Sequence, residues 1–131
     1  MRFAALRHIL RIELKMWILT TRGFYSIVER DGRLCVRVRV EGDLARLREL
    51  MPALGPVIKG AGSDYPFRAF ISPEAFAAAL PLLAAEITYP NFKDAVARAQ
   101  GAERAAVYGH VWQDLMDLEA VPSKTQAKRL S

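Results

Sequence analysis

The spacing of apolar residues changes along this chain, and each change marks a new element. Phe3, Leu6, Leu10 and Leu14 recur at helical spacing with Arg7, Arg11 and Lys15 beside them, which predicts a short basic amphipathic helix over residues 1–15. Such a helix would dock on the domain or fray; its basic flank would also suit an anionic membrane surface or a transit peptide. Met16 reads as an alternative translation start, which would make residues 1–15 an extension of the domain that follows.

From Trp17 the period becomes two. Trp17 to Thr20, Phe24 to Arg30 and Leu34 to Val40 are β-rich runs separated by Thr21-Arg22-Gly23 and by Asp31-Gly32, and Asp-Gly between such runs is a strong hairpin signal. Leu34, Val36, Val38 and Val40 alternate with Cys35, Arg37 and Arg39, so the first set is expected to face a core and the second set water. Asp43 is placed to cap a helix carrying Leu44, Leu47, Leu50 and Met51, which Pro52 and Gly55-Pro56 end.

Val57 to Lys59 predicts a short strand, Gly60 to Ser63 a flexible loop, and Tyr65 to Ile71 a further strand. Ser72-Pro73-Glu74 is a strong helix start, with a serine cap, proline at the first helical position and a carboxylate at the positive end of the dipole; the helix is expected to reach about Ile87. Asn91 caps a second helix through Gln100. A third, from about Ala102 to Glu119, puts Val107, Tyr108, Val111, Trp112, Leu115 and Leu118 on one broad face expected to complete the core. Val121 to Ser131 reads as a basic, disordered tail. The expected fold is α+β: an antiparallel sheet made of a three-stranded meander plus a further strand or hairpin, covered on one face by a crossing helix and a C-terminal helical layer.

Composition agrees with one folded domain over residues 16–119, since 131 residues with 52% apolar and 25% charged content suffice for a single core. Charge changes the picture more. The net +5 belongs to the two ends, each carrying +3, whereas Met16 to Glu119 holds 12 bases and 13 acids. Cys35 is the one cysteine, and with only His8 and His110 beside it neither a disulfide nor a structural zinc site is expected; a cytoplasmic setting fits best. No apolar run approaches the roughly 20 residues of a membrane helix.

Motifs that carry chemistry are scarce. Arg22-Gly23-Phe24-Tyr25-Ser26-Ile27 echoes the RNA-recognition signature, but Ser26 and Glu29 stand where the stacking aromatics belong. Gly60-Ala61-Gly62-Ser63-Asp64-Tyr65 lacks the lysine and third glycine of a phosphate loop, and a strand follows it instead of a helix. Cys35 and His110 would form a thiol–imidazole pair only if folding brought them together, and His110 shares a helix side with Asp114 and Asp117. No catalytic residue, metal ligand or cofactor is expected, and an enzyme is the less favoured reading.

Two candidate sites remain. Within the body, Met16 to Arg68 has nine bases against six acids and Ala69 to Glu119 three against seven, so the domain is polarised. Arg37, Arg39 and Arg68 would line the sheet face opposite the helices and suit an acidic protein, a phosphate-rich ligand such as nucleic acid, or a second copy of the chain. Asp64-Tyr65-Pro66-Phe67-Arg68 and Tyr89-Pro90-Asn91-Phe92-Lys93 crowd aromatics and polar groups at element ends, and Asp64, Tyr65, Arg68, Tyr89, Asn91 and Lys93 would line a small-ligand pocket.

The segments Met16-Trp17-Ile18-Leu19-Thr20-Thr21-Arg22-Gly23-Phe24-Tyr25-Ser26-Ile27-Val28, Asp64 to Arg68, Tyr89 to Lys93, and Tyr108 with Val111-Trp112 resemble a group of short uncharacterised bacterial proteins over residues 16 to 119. That resemblance carries no activity and no site residue; it implies only that the first fifteen residues are an addition. The expected function is non-catalytic binding through the arginine-bearing face, with a protein as the first-choice partner and nucleic acid as the alternative, the latter also through the basic ends. A ligand sensor or enzyme using the aromatic pocket, and a mobile-element inhibitor that covers a host or phage protein, are the competing classes.

Overall fold

The computed structural model describes residues 15–60, 64–122 and Lys124. Two-residue periodicity produces the expected meander: β1 (Lys15–Leu19), β2 (Phe24–Arg30) and β3 (Arg33–Val38) pair antiparallel in sequence order. Asp31 (φ 54°) and Gly32 (φ 80°) both take the left-handed conformation that a two-residue hairpin turn demands. Strand β5 (Phe67–Ile71) then pairs with β3, and β4 (Ile58–Lys59) pairs with β5, giving an antiparallel sheet of order β1-β2-β3-β5-β4. With its helices the architecture is α+β, as the sequence pattern predicts.

The core lies on one side of this sheet. Tyr25, Ile27, Val36, Val38, Ala69 and Ile71 meet Leu44 and Leu47 of α1 (Glu41–Leu50), Met51 just beyond it, and Phe76 and Ala79 of α2 (Pro73–Ala85). Leu44, Val36 and Val38 have no exposed surface, and each such side chain contributes about 1.5–3 kcal/mol by leaving water. The α2 start follows the sequence signal: Ser72 Oγ accepts from the Ala75 amide at 3.1 Å and Pro73 opens the helix. The helix ends at Ala85, two residues short of Ile87.

Asp43 departs from its expected role. Helix α1 begins at Glu41 without a side-chain cap, and Asp43 is 2% exposed. Its Oδ2 accepts from the Phe24 amide at 3.1 Å, its Oδ1 pairs with Arg46, and its carbonyl accepts from the Tyr25 hydroxyl at 2.8 Å. The carboxylate is drawn to the β1–β2 turn because Gly23 presents no side chain there. Arg22 completes the attachment: its Nε and Nη2 donate to Glu86 at 2.8 and 2.7 Å, and its Nη1 donates to the Arg46 carbonyl at 2.6 Å and to Glu49 at 3.0 Å. Arg46 Nε donates back to the Arg22 carbonyl at 2.6 Å. Glu86 and Glu49 accordingly hold the Arg22 guanidinium more firmly protonated than usual. Each charge here has its counter-charge, so the network is a clamp between the turn, α1 and the end of α2.

The chain divides into two compact units, Met1–Pro90 and Asn91–Ser131. The second is a helical hairpin of α3 (Phe92–Gln100) and α4 (Ala102–Leu115), closed by a 3₁₀ turn at Met116–Ala120. Asn91 Oδ1 accepts from the Asp94 amide at 2.9 Å, the expected cap. Val96, Ala105 and Tyr108 are buried, whereas Val107, Trp112, Leu115 and Leu118 are 48% or more exposed, together with Met116. The single broad inward face expected of α4 is thus not formed. Helical rotation separates Ala105 and Tyr108 from a second stripe of Val107, Val111, Leu115 and Leu118, and one helix partner covers only one stripe.

Among the described residues no helix is long and apolar enough to cross a membrane, and no group of three or more His, Cys, Asp or Glu is arranged to hold a metal ion. The helix expected over residues 1–15, most of the Gly60 to Ser63 loop and most of the tail lie outside the described residues; Lys15 belongs to β1.

Candidate functional site

Strand alternation places a row of arginines on the sheet face opposite the core. Register pairs Ser26 with Arg37 and Arg37 with Arg68, Val28 with Cys35 and Cys35 with Phe70, and Arg30 with Arg33. Arg30, Arg33, Arg37 and Arg68 therefore share this reverse face, and Arg39 continues the row beyond the end of β3. Aromatic rings are interleaved with them. The Arg33 guanidinium carbon lies 4.0 Å from the centre of the Phe70 ring, and those of Arg37 and Arg39 each lie 4.6 Å from the centre of Tyr65. Phe24 adjoins Tyr65 (centroids 6.5 Å) and meets Trp17 edge-on (5.6 Å).

The face is not the open, wet surface that alternation alone suggests. Arg37, expected in water, is only 7% exposed, and Ser26, Val28 and Cys35 beside it are buried too. Its Nη2 donates to Ser26 Oγ at 2.7 Å, its plane meets Tyr65, and its buried Nε has no hydrogen-bond partner. The reason is local: serine opposite Arg37 leaves room for the guanidinium to fold down, and the Tyr65 ring, itself 6% exposed, lies against it. Arg68 is half-buried in the adjoining register position. The exposed guanidinium groups sit at the ends of the row, Arg30 and Arg33 beside the hairpin turn and Arg39 at the other end, where its Nη1 donates to the Asp64 carbonyl at 2.6 Å. Val40, expected to point inward, is 46% exposed because β3 stops at Val38.

Pairing separates these arginines from those of the clamp. Arg22 and Arg46 have carboxylates at hydrogen-bond distance, and Arg48 donates to the Leu54 and Gly55 carbonyls. Among the described residues Arg30, Arg33, Arg37 and Arg39 have no carboxylate partner. Four guanidinium charges thus stand on one face without neutralisation, one of them nearly out of water. Cys35 lies in their midst, and burial pushes its thiol above the ordinary value although Arg68, Arg30, Arg37 and Arg33 pull it down. Such a thiol is a poor nucleophile.

The expected pocket residues fall into two groups. Asp64, Tyr65 and Arg68 adjoin the arginine row, and Tyr89 is half-buried near the end of the same unit. Asn91 and Lys93 belong to the second unit, where they border a cleft of about 610 Å³ together with Tyr108, His110 and Trp112. His110 and Cys35 are thus residues of different units. Sequence reasoning missed Arg30 and Arg33 as members of the arginine face, although their spacing from Arg37 across an Asp-Gly turn carries the signal. It also missed the clamp on Arg22, whose partners are 27 and 64 residues away and leave no local trace. Comparison of the chain with protein-family models, with curated proteins and with solved structures finds no match.

Proposed function

We propose that this chain is a non-catalytic binding module whose reverse sheet face takes a phosphate-rich partner. The observation that carries the reading is the contrast in pairing among the described residues: the arginines of the clamp are matched by carboxylates, and the four on the reverse face are not. Guanidinium groups backed by aromatic rings are pre-oriented and weakly hydrated, which suits bidentate recognition of phosphate oxygens. The Phe70 and Tyr65 rings lie under guanidinium groups, so recognition at the arginines would run through phosphates and carry little base preference. A buried, raised-pKa thiol at Cys35 suits the reducing cytoplasm assumed for the module.

The test is fluorescence anisotropy of a labelled single-stranded oligonucleotide with wild-type protein and with the exposed guanidinium groups removed together (Arg30→Gln, Arg33→Gln, Arg39→Gln). The reading requires affinity to fall by about tenfold or more while the circular dichroism spectrum is kept, the three contacts each contributing at least a few tenths of a kcal/mol. Equal affinity of the two proteins would remove the phosphate reading. A second reading, an acidic protein partner, is favoured by Met16 (42%) and Trp17 (57%), apolar residues exposed on edge strand β1. It would show as capture of an acidic partner that Trp17→Ser abolishes.

A further inference from the structure

The cleft of the second unit is a separate feature from the arginine face. It runs between the start of α3 and the middle of α4, and its volume of about 610 Å³ falls in the range of small-molecule sites. One wall is aromatic: Phe92 and Tyr108 stack with centroids 6.0 Å apart and planes within 3°. Trp112, one helical turn beyond Tyr108, carries its indole 68% exposed at the same cleft and makes no ring contact among the described residues. The polar groups on the border include the Lys93 ammonium and the His110 imidazole beside the Asn91 and Gln113 amides. Lys93 lies in the first turn of α3, where the helix dipole adds positive potential, and among the described residues neither Lys93 nor His110 has an ion pair. Among the described residues no carboxylate lines the cleft.

Gly109 supplies an independent observation. It sits in the interior of α4, where glycine is the poorest helix former after proline, yet a methyl group built on it would meet nothing within 4 Å. Neither a tight contact nor a left-handed backbone explains it, since its φ is not positive. What the missing side chain does is keep the cleft floor low beside Trp112. The missing side chain thus leaves space in the cleft for an occupant, at a position where alanine would favour the helix.

We propose that this cleft binds a small, flat aromatic anion, its ring system lying over Gly109 against Trp112 and its anionic group directed to Lys93 and His110. The aromatic wall selects a planar apolar body, and the unpaired cation with the helix N-terminus selects a carboxylate or sulfonate over a neutral group. The site is independent of the arginine face, so failure of either leaves the other untouched.

The experiment is a titration of the full ¹⁵N-labelled chain with 2-naphthoate and, separately, with the neutral 2-naphthamide, followed by amide and indole chemical shifts. The proposal requires saturable shifts centred on Gly109 and the Trp112 indole, with naphthoate bound about tenfold or more tightly than the amide. Gly109→Ala should raise the melting temperature and weaken naphthoate about tenfold, an opposite movement that no purely structural role of the glycine produces. Lys93→Gln should weaken naphthoate and leave naphthamide unchanged. Shifts that do not saturate in the millimolar range, equal binding of the acid and the amide, or undiminished binding by Gly109→Ala would overturn it.

Discussion

Gly23→Ala is the sharpest probe of the clamp that holds the sheet to its helices. A methyl group at this position would lie 2.4 Å from Asp43 Cγ and 2.5 Å from Oδ2, and these atoms belong to a side chain that is 2% exposed. The carboxylate has no free rotamer into which to retreat, because Oδ2 holds the Phe24 amide and Oδ1 holds Arg46. To admit the methyl it must surrender at least one charge-assisted hydrogen bond, about 1.5–3 kcal/mol, or shift backbone at an overpacking cost of about 1–3 kcal/mol. The expected loss is about 3 kcal/mol. For a domain of this size that is a fall of roughly 10–20 °C in melting temperature, read by calorimetry or circular dichroism. The decisive control is the double variant with Asp43→Gly, which removes Cγ, Oδ2 and also Cβ, itself 2.8 Å from the added methyl: its cost should be well below the sum of the two single costs, with a coupling of about 1–3 kcal/mol. Additive costs, or a Gly23→Ala protein as stable as wild type, would refute the steric argument and the clamp with it.

Three further outcomes follow from the same geometry. Arg37→Met should raise stability, or leave it unchanged, while weakening polyanion binding, because a guanidinium that is 7% exposed and has no counter-charge is costly to bury and thioether packing is not; a thermal melt and the anisotropy titration read the two effects, and a large fall in stability would contradict it. Cys35 should react far more slowly with a thiol reagent in the native state than in guanidinium chloride. Its folded-state pKa is raised, so its contribution to stability is complete below the unfolded value near pH 8.5 and is lost as pH rises through the folded value; Cys35→Ala should flatten the decline of stability on the alkaline side. Ser72→Ala should cost about 1 kcal/mol in chemical denaturation through loss of the α2 cap, and Ser72→Asp should recover most of it.

The parts of the fold that were legible in the sequence are those set by neighbours a few residues away. The Phe24–Arg30 strand, the Asp31-Gly32 turn, the Ser72-Pro73 and Asn91 helix starts and the inward Val36 and Val38 all follow from local conformational preference and alternation. What failed depends on contacts made across the chain. Asp43 looks like a helix cap until Gly23, twenty residues earlier, opens a place for its carboxylate. Arg37 looks like a solvated strand residue until Ser26 and Tyr65 are known to face it. Val107, Leu115 and Leu118 carry the periodicity of a buried stripe, and periodicity reports amphipathicity without saying whether anything covers it. Of the arginine face, Arg37, Arg39 and Arg68 were therefore legible in the sequence, whereas Arg30, Arg33 and the burial of Arg37 were not.

If the reverse-face arginines neutralise phosphates as proposed, the salt dependence of oligonucleotide binding must report it. Each phosphate neutralised on a single strand contributes about 0.7 to the slope of log K against log salt concentration. The basic ends contribute equally to wild type and to the Arg30→Gln, Arg33→Gln, Arg39→Gln protein, so they cancel in the difference. The account predicts that the slope becomes shallower by about 2 in the triple variant; identical slopes in the two proteins would contradict it.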